Sequence, residues 1–166
     1  MKNTTLCHIE QNGCYLMLHR VKKQQDMNRD KWIGIGGKFE EGESPEDCAL
    51  RETLEETGLT LQNPEYRGIV TFVSARYGTE YMHLFWCNRF TGTLHPCSEG
   101  ELKWVPKTEL KNLPIWVGDL IFLKLLEKRV PFFSLKLCYN GQNELQHAVL
   151  NGKTLNLSEV LPLCTQ

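Results

Sequence analysis

The stretch that most constrains the fold is a short helix whose two ends are set by its own residues. Ser44 is a strong N-cap, and Pro45 falls at the first helical position, where its missing N–H costs nothing. Asp47 completes a capping-box pattern and suits the positive end of the helix dipole. Gly58 supplies a left-handed stop, with Leu59 the apolar residue beyond it. The helix between these signals carries Arg51, Glu52, Glu55 and Glu56. At about 100° per residue these four side chains spread over one face, and Leu50 and Leu54 fall opposite as the expected buried stripe. Two carboxylates about 6 Å apart at an effective dielectric of about 20 repel by about 3 kcal/mol, so the arrangement gains little unless a cation binds. Hard oxygen donors select Mg²⁺ or Mn²⁺ over zinc. Upstream, Gly34, Gly36, Gly37 and Gly42 form a backbone able to approach a metal or phosphate closely. The expected order is strand, glycine loop, acidic helix.

The spacing from Gly37 through Glu43, Arg51-Glu52 and Glu55-Glu56 to Gly58-Leu59 resembles the Nudix box, the signature of hydrolases acting on nucleoside diphosphates linked to another moiety. Thr53 stands where that family usually carries an aliphatic residue, and its methyl suits the same half-buried place. The resemblance implies an α/β fold, the Nudix α/β/α sandwich with a mixed β-sheet, and a pyrophosphohydrolase that uses Mg²⁺, with Mn²⁺ as the alternative. By the same resemblance Glu52 and Glu56 would hold the cation, with Glu55 a further ligand or an orienting group and the Gly37 carbonyl reaching the same ion. Glu52 would also be the general base. Arg51 would fix the carboxylates, and Glu43 would tie the loop to the helix. The chemistry needs no covalent intermediate: a divalent cation neutralises the diphosphate oxygens and acidifies water, and a carboxylate takes the proton.

The runs Lys31-Trp32-Ile33-Gly34-Ile35-Gly36-Gly37 and Leu113-Pro114-Ile115-Trp116-Val117-Gly118-Asp119 resemble the MutT-type branch, which hydrolyses oxidised purine nucleoside triphosphates such as 8-oxo-dGTP. In that branch the positions matching Trp116 and Asp119 stack on the base and hydrogen-bond its edge. The structural alternative makes Trp116 a core or helix-entry residue and Asp119 a helix cap. Ile33, which cannot hydrogen-bond a base, stands where vertebrate 8-oxo-dGTPases carry asparagine, and Gly118 replaces the first acidic residue after the tryptophan. Glu99 resembles the remote glutamate that serves as a metal ligand or base, with Glu101 competing for the part. Arg20, Lys22, Lys23 and Lys38 are candidates for the triphosphate tail, although a basic trio at a strand end is often only solvated. Two other readings stay open. One is a Nudix pyrophosphatase for a diadenosine polyphosphate, to which Tyr77 points, or for a nucleotide sugar. The other is a non-catalytic nucleotide-binding module, against which the intact Glu52, Glu55 and Glu56 argue.

The rest of the chain adds limits. Its 166 residues, 41% hydrophobic with a net charge of −1, fit one domain over 1–166 and leave no electrostatic footprint for duplex nucleic acid. Seven scattered cysteines without a Cys-x-x-Cys pair argue against a disulfide framework or a zinc ribbon. No apolar run reaches membrane-spanning length and no leader pattern is present, so the expected location is cytoplasmic, with a nucleotide as partner and either a monomer or a homodimer as the assembly. Strands are expected over residues 4–9 and 15–19, joined at Asn12-Gly13, then over 66–74, 80–90 and 102–105. A polar loop spans 21–31 and a helix 120–128. Residues 132–139 and 144–150 form a second hairpin turning at Asn140-Gly141.

Overall fold

Asn12 and Gly13 both take positive φ, 51° and 75°, as a tight two-residue hairpin turn requires. They join β1 (Lys2–Gln11) to β2 (Cys14–His19). The computed structural model describes residues 2–22 and 26–166. After β2 come β3 (Trp32–Ile33), α1 (Pro45–Thr57), β4 (Leu59–Leu61), β5 (Glu65–Ser74), β6 (Gly78–Cys87), β7 (Phe90–Gly92) and β8 (Glu101–Pro106). A 3₁₀ helix (Lys107–Asn112) leads to α2 (Asp119–Glu127), β9 (Phe133–Tyr139), β10 (Leu145–Leu150), β11 (Lys153–Thr154) and α3 (Leu157–Cys164).

The first hairpin parts almost at once, and that parting makes the sheet mixed. β1 and β2 pair only at Glu10↔Tyr15 and Gln11↔Cys14. β1 then runs parallel to β6 from Lys2↔Glu80 to Ile9↔Cys87, whereas β2 turns away to pair antiparallel with β3 and β8. The strand order is β11-β10-β9-β5-β6-β1-β2-β3, with β8 also on β2 and a separate β4-β7 ribbon. Alternate residues of the central strands feed two cores: Leu6, Tyr15 and Met17 join Phe122 of α2, and Cys7, Ile9, Leu16 and Leu18 join Ala49 of α1. Partly buried Leu157, Val160 and Leu161 of α3 pack on the α2 side. Helices therefore cover both faces, as the expected α/β/α sandwich requires.

The acidic helix keeps its expected ends but not its expected buried stripe. Leu50 and Leu54 are exposed, at 38% and 51%, and the residues turned inward are Cys48, Ala49, Thr53, Glu56 and Thr57. Small side chains let α1 sit close to β1, with Thr5 Oγ1 3.4 Å from Cys48 Sγ, and this rotation carries Glu56 toward the interior. Thr53 is wholly buried rather than half-buried. The expected strand over 80–90 ends at Cys87, and Phe90 belongs to β7. The second hairpin forms, but its pivot is Asn143 at φ 60°, with Asn140 Oδ1 accepting from the Gln142 and Glu144 N–H groups. α3, with Pro162 inside it, was not expected.

Candidate active site

Local chemistry holds α1 in place. The Ser44 hydroxyl accepts from the Asp47 N–H at 3.1 Å, the Asp47 carboxylate accepts from the Ser44 N–H at 3.0 Å, and Gly58 closes the helix at φ 81°. The loop before it is laced to β1: the Gly37 carbonyl accepts from the Thr5 N–H at 2.9 Å, and Ile35 and Cys7 exchange both backbone hydrogen bonds. This approach leaves no room for side chains. A Cβ at Gly36 would lie 1.8 Å from the Thr5 carbonyl oxygen, and one at Gly37 would lie 2.4 Å from the Glu52 carboxyl carbon.

Arg51 is the hub of the acidic face. It donates through Nε to Glu43, through Nη1 to Glu52 at 2.8 Å and Glu55 at 3.2 Å, and through Nη2 to the Lys38 carbonyl at 2.9 Å and Glu43 at 3.0 Å. The guanidinium holds the Glu43 carboxyl well below the usual carboxylate range, and the surrounding carboxylates raise Arg51 in turn. Glu43 also accepts from the Glu40 N–H at 2.8 Å, so it does tie the loop to the helix. The Glu55 side chain is 58% exposed and reaches solvent from this hub.

A cleft of about 600 Å³ runs from the acidic helix to the start of α2, a size suited to a nucleotide. Of the residues singled out from sequence, Arg20, Ile33, Gly37, Lys38, Glu52, Glu56, Glu99, Trp116 and Asp119 line it, whereas Arg51, Glu55 and Glu101 do not. Lys23 lies outside the described residues. Glu99 sits in the turn bridged by Cys97 and Gly100, pressed so near β2 that a Cβ at Gly100 would lie 2.0 Å from the His19 carbonyl oxygen. Glu101 lies two residues on, in β8 opposite His19. Arg20 does not stand alone as a phosphate contact: its guanidinium meets Asp26 at 2.6 Å and Glu99 at 2.8 Å.

Burial pushes Glu56 up to about 8, with Glu52 and Glu99 adding repulsion and Arg20 opposing them. Glu52 is raised too, first by burial. Glu56 Oε2 is buried with no hydrogen-bond partner, an expense a protein rarely tolerates without a ligand for that atom. Among the described residues no three His, Cys, Asp or Glu side chains stand at common ligand spacing; Glu52 meets Arg51 and Glu99 meets Arg20. The donor chemistry nonetheless fits a hard divalent cation: carboxylate oxygens, one of them orphaned, beside a glycine whose missing Cβ gives Glu52 its place.

At the other end, Trp116 is only 4% exposed. Its indole N–H donates to Asn28 Oδ1 at 2.8 Å, Phe72 and Tyr139 meet it edge to face, and the Lys31 ammonium lies 4.8 Å from the ring centroid. It is at once a core residue and cleft wall. Asp119 opens α2 without a side-chain capping bond, and burial lifts its carboxyl to about 8 against the opposing charge of Lys31. Gly118 is explained by packing: its N–H donates to the Tyr139 hydroxyl, and a Cβ would lie 2.6 Å from both Leu137 Cδ1 and that hydroxyl. Sequence reasoning missed Asp26, Asn28, Phe72, Glu80 and Met82, which also line the cleft. Only the register of β1 on β6 and β5 on β6 brings the last three there.

A mixed sheet between helices, with a capped helix turning carboxylates into a nucleotide-sized cleft, is the architecture of a pyrophosphohydrolase. The chain belongs to the Nudix family, and its residues 3–126 match the NUDIX domain. It is similar to the Nudix hydrolase YvcI of Bacillus subtilis, 31% identical over 87% of this chain and 91% of that protein. It also resembles the oxidized purine nucleoside triphosphate hydrolase of Danio rerio, 30% identical over 79% of this chain and 83% of that protein. Among solved structures, the MutT protein of Bacillus halodurans superimposes with a TM-score of 0.79 at 28% identity, covering 91% of this chain and 98% of its own. Hydrolases of this family generally use divalent metal ions. Among the described residues no helix is long and apolar enough to cross a membrane.

Proposed function

We propose that this protein is a Mg²⁺-dependent nucleoside triphosphate diphosphatase, converting a nucleoside triphosphate and water to a nucleoside monophosphate and pyrophosphate, with oxidised purine nucleotides such as 8-oxo-dGTP as substrates. The observation that carries this reading is that one cleft joins the acidic end, Glu52, Glu56 and Glu99, to an end walled by Trp116 and Asp119. The naming of relatives as oxidized purine nucleoside triphosphate hydrolases supports the substrate class.

Glu52, Glu56 and Glu99 would hold the cation, which when bound neutralises phosphate charge and acidifies water. Arg51 holds one oxygen of the Glu52 carboxylate at the cleft wall, and Glu52, raised by burial, takes the proton from the attacking water. The water oxygen forms a bond to phosphorus as the anhydride bridge of the substrate breaks, and the pyrophosphate departs as an anion beside Lys38. Glu55, held at the rim by Arg51, is assigned an orienting role. Asp119, its carboxyl pushed up to about 8 by burial and so protonated at neutral pH, would donate through its O–H to a base acceptor and accept through its other oxygen from a ring N–H. Ile33 supplies only apolar contact, so base discrimination falls chiefly on Asp119. Beyond the matched residues, β9 joins β5 in the same sheet, and Phe133, Leu135 and Leu137 enter the same core as Trp116, which supports a single domain over 1–166.

The test is a substrate panel with Mg²⁺: 8-oxo-dGTP, dGTP, the other nucleoside triphosphates and a diadenosine polyphosphate, since Tyr77 also lines the cleft. Pyrophosphate is the expected product, with 8-oxo-dGTP preferred. Release of inorganic phosphate instead, or cleavage of the diadenosine polyphosphate alone, would overturn this assignment.

A further inference from the structure

The Asp26 carboxylate links the two ends of the cleft. Asp26 Oδ2 accepts from Arg20 Nε at 2.6 Å, and Arg20 Nη2 meets Glu99 Oε2 at 2.8 Å. The other oxygen, Asp26 Oδ1, accepts from the Asn28 N–H at 2.9 Å, and Asn28 Oδ1 accepts from the Trp116 indole N–H at 2.8 Å. The chain Glu99–Arg20–Asp26–Asn28–Trp116 thus links the two ends of the cleft through one ion pair, Arg20 to Glu99, and three hydrogen bonds, of which those accepted by Asp26 are charge-assisted. It is also shielded: the Asp26 and Arg20 side chains are 9% and 14% exposed. An ion pair this sheltered is costly to break on one side, because the remaining charge is left without its partner. The segment ends are fixed as well, since the Arg20 N–H donates to the Lys31 carbonyl at 3.0 Å and the Asp30 N–H to the Arg20 carbonyl at 2.8 Å.

The geometry points to Asp26 as a positioning residue that sets the acidic end and the base wall together. One oxygen neutralises Arg20, so that the guanidinium orients Glu99 without bearing its full charge on that carboxylate. The other fixes the backbone at Asn28, and thereby the acceptor that holds the Trp116 ring. This rests on the diphosphatase reading above, for which Glu99 and Trp116 are the two ends, and it adds a link that neither end discloses alone.

Three substitutions separate the two arms. Asp26→Asn keeps an oxygen for the Asn28 N–H but removes the charge facing Arg20. Asp26→Ala removes both, and Asn28→Ala removes only the acceptor for Trp116. Two readouts need no turnover: Mn²⁺ affinity of the free protein by isothermal titration, and the Trp116 indole N–H resonance, assigned with Trp116→Phe. Asp26→Asn is expected to weaken Mn²⁺ binding about tenfold with the indole resonance in place, because an unneutralised Arg20 then competes for Glu99. Asn28→Ala shifts the resonance and raises KM for the triphosphate about fivefold while leaving Mn²⁺ affinity within about twofold. Asp26→Ala shows both defects. Equal behaviour of the two Asp26 variants on both readouts, or a lowered melting temperature with neither readout moved, overturns the inference. Wild-type protein that binds Mn²⁺ but cleaves no triphosphate sinks the functional reading alone, since both readouts remain measurable.

Discussion

Replacing Asp119 by Asn should change how the stability of this protein depends on pH, and the size of the change follows from counting protons. The carboxyl is pushed up to about 8 by burial, whereas in an unfolded chain it titrates near 3.9. Between those two values the folded protein binds one proton more at this site than the unfolded chain. Stability from this group is therefore fully present below the unfolded value and is lost as pH rises toward the folded one, at about 1.4 kcal/mol per pH unit. From about pH 5 to about pH 7 the loss is about 2.7 kcal/mol, because the folded value of about 8 lies above this window and the folded carboxyl keeps its proton across it. Asparagine has nearly the same shape and no proton to lose, so Asp119→Asn lacks this loss. Urea unfolding in a chelator, followed by tryptophan fluorescence at several pH values, measures the difference between variant and wild type, and the contribution of Glu56 cancels because both proteins carry it. The variant should gain about 2.7 kcal/mol on the wild type across the window. A difference that stays constant with pH to within about 0.5 kcal/mol would show that Asp119 is ionised in the folded protein and would refute the reasoning.

Other outcomes follow from the acidic end. Glu56→Gln should lower turnover at least about a hundredfold, yet stabilise the chelated protein at about pH 8, because an amide relieves the burial of a charge; steady-state kinetics and thermal melts check the two effects. Gly37→Ala forces aside the Glu52 carboxylate, the end of a flexible side chain, so activity should fall about a hundredfold with a melting temperature within about 3 °C of wild type. Gly36→Ala meets the Thr5 backbone instead, and should appear as a loss of folded protein by circular dichroism, costing more than about 2 kcal/mol.

What the sequence discloses is what short-range chemistry determines. The ends of α1 are legible because Ser44, Asp47 and Gly58 act within a single turn of their own backbone. The hairpin at Asn12-Gly13 is legible for the same reason, but the divergence of β1 from β2 after two residue pairs is not, because it is decided by β6 and β8 far along the chain. The rotation of α1 escapes a periodicity argument: Leu50 and Leu54 look like the core stripe, and only contact with β1 shows that Cys48, Ala49 and Thr53 face inward and take Glu56 with them. α3 is hidden by its length and by Pro162. In the cleft, Trp116 and Asp119 stand in a recognisable run, whereas Glu80 and Met82 reach it through strand register, and Asp26 and Asn28 lie in a polar stretch that resembles any solvated loop.

The lacing of residues 35–37 onto β1 has a thermodynamic consequence. A glycine-rich segment would ordinarily lose conformational freedom when an anion settles on it, but here the central sheet has already immobilised the peptide groups through the amides of Thr5 and Cys7. If this loop receives the phosphates, as proposed above, it would be preorganised during folding, and binding free energy would not be diverted to ordering it. On the proposed reading, variation of substrate would be sought at Glu80 and Met82 across the cleft, which lie in a strand separate from that loop, rather than at Phe72, whose ring packs on Trp116 in the core.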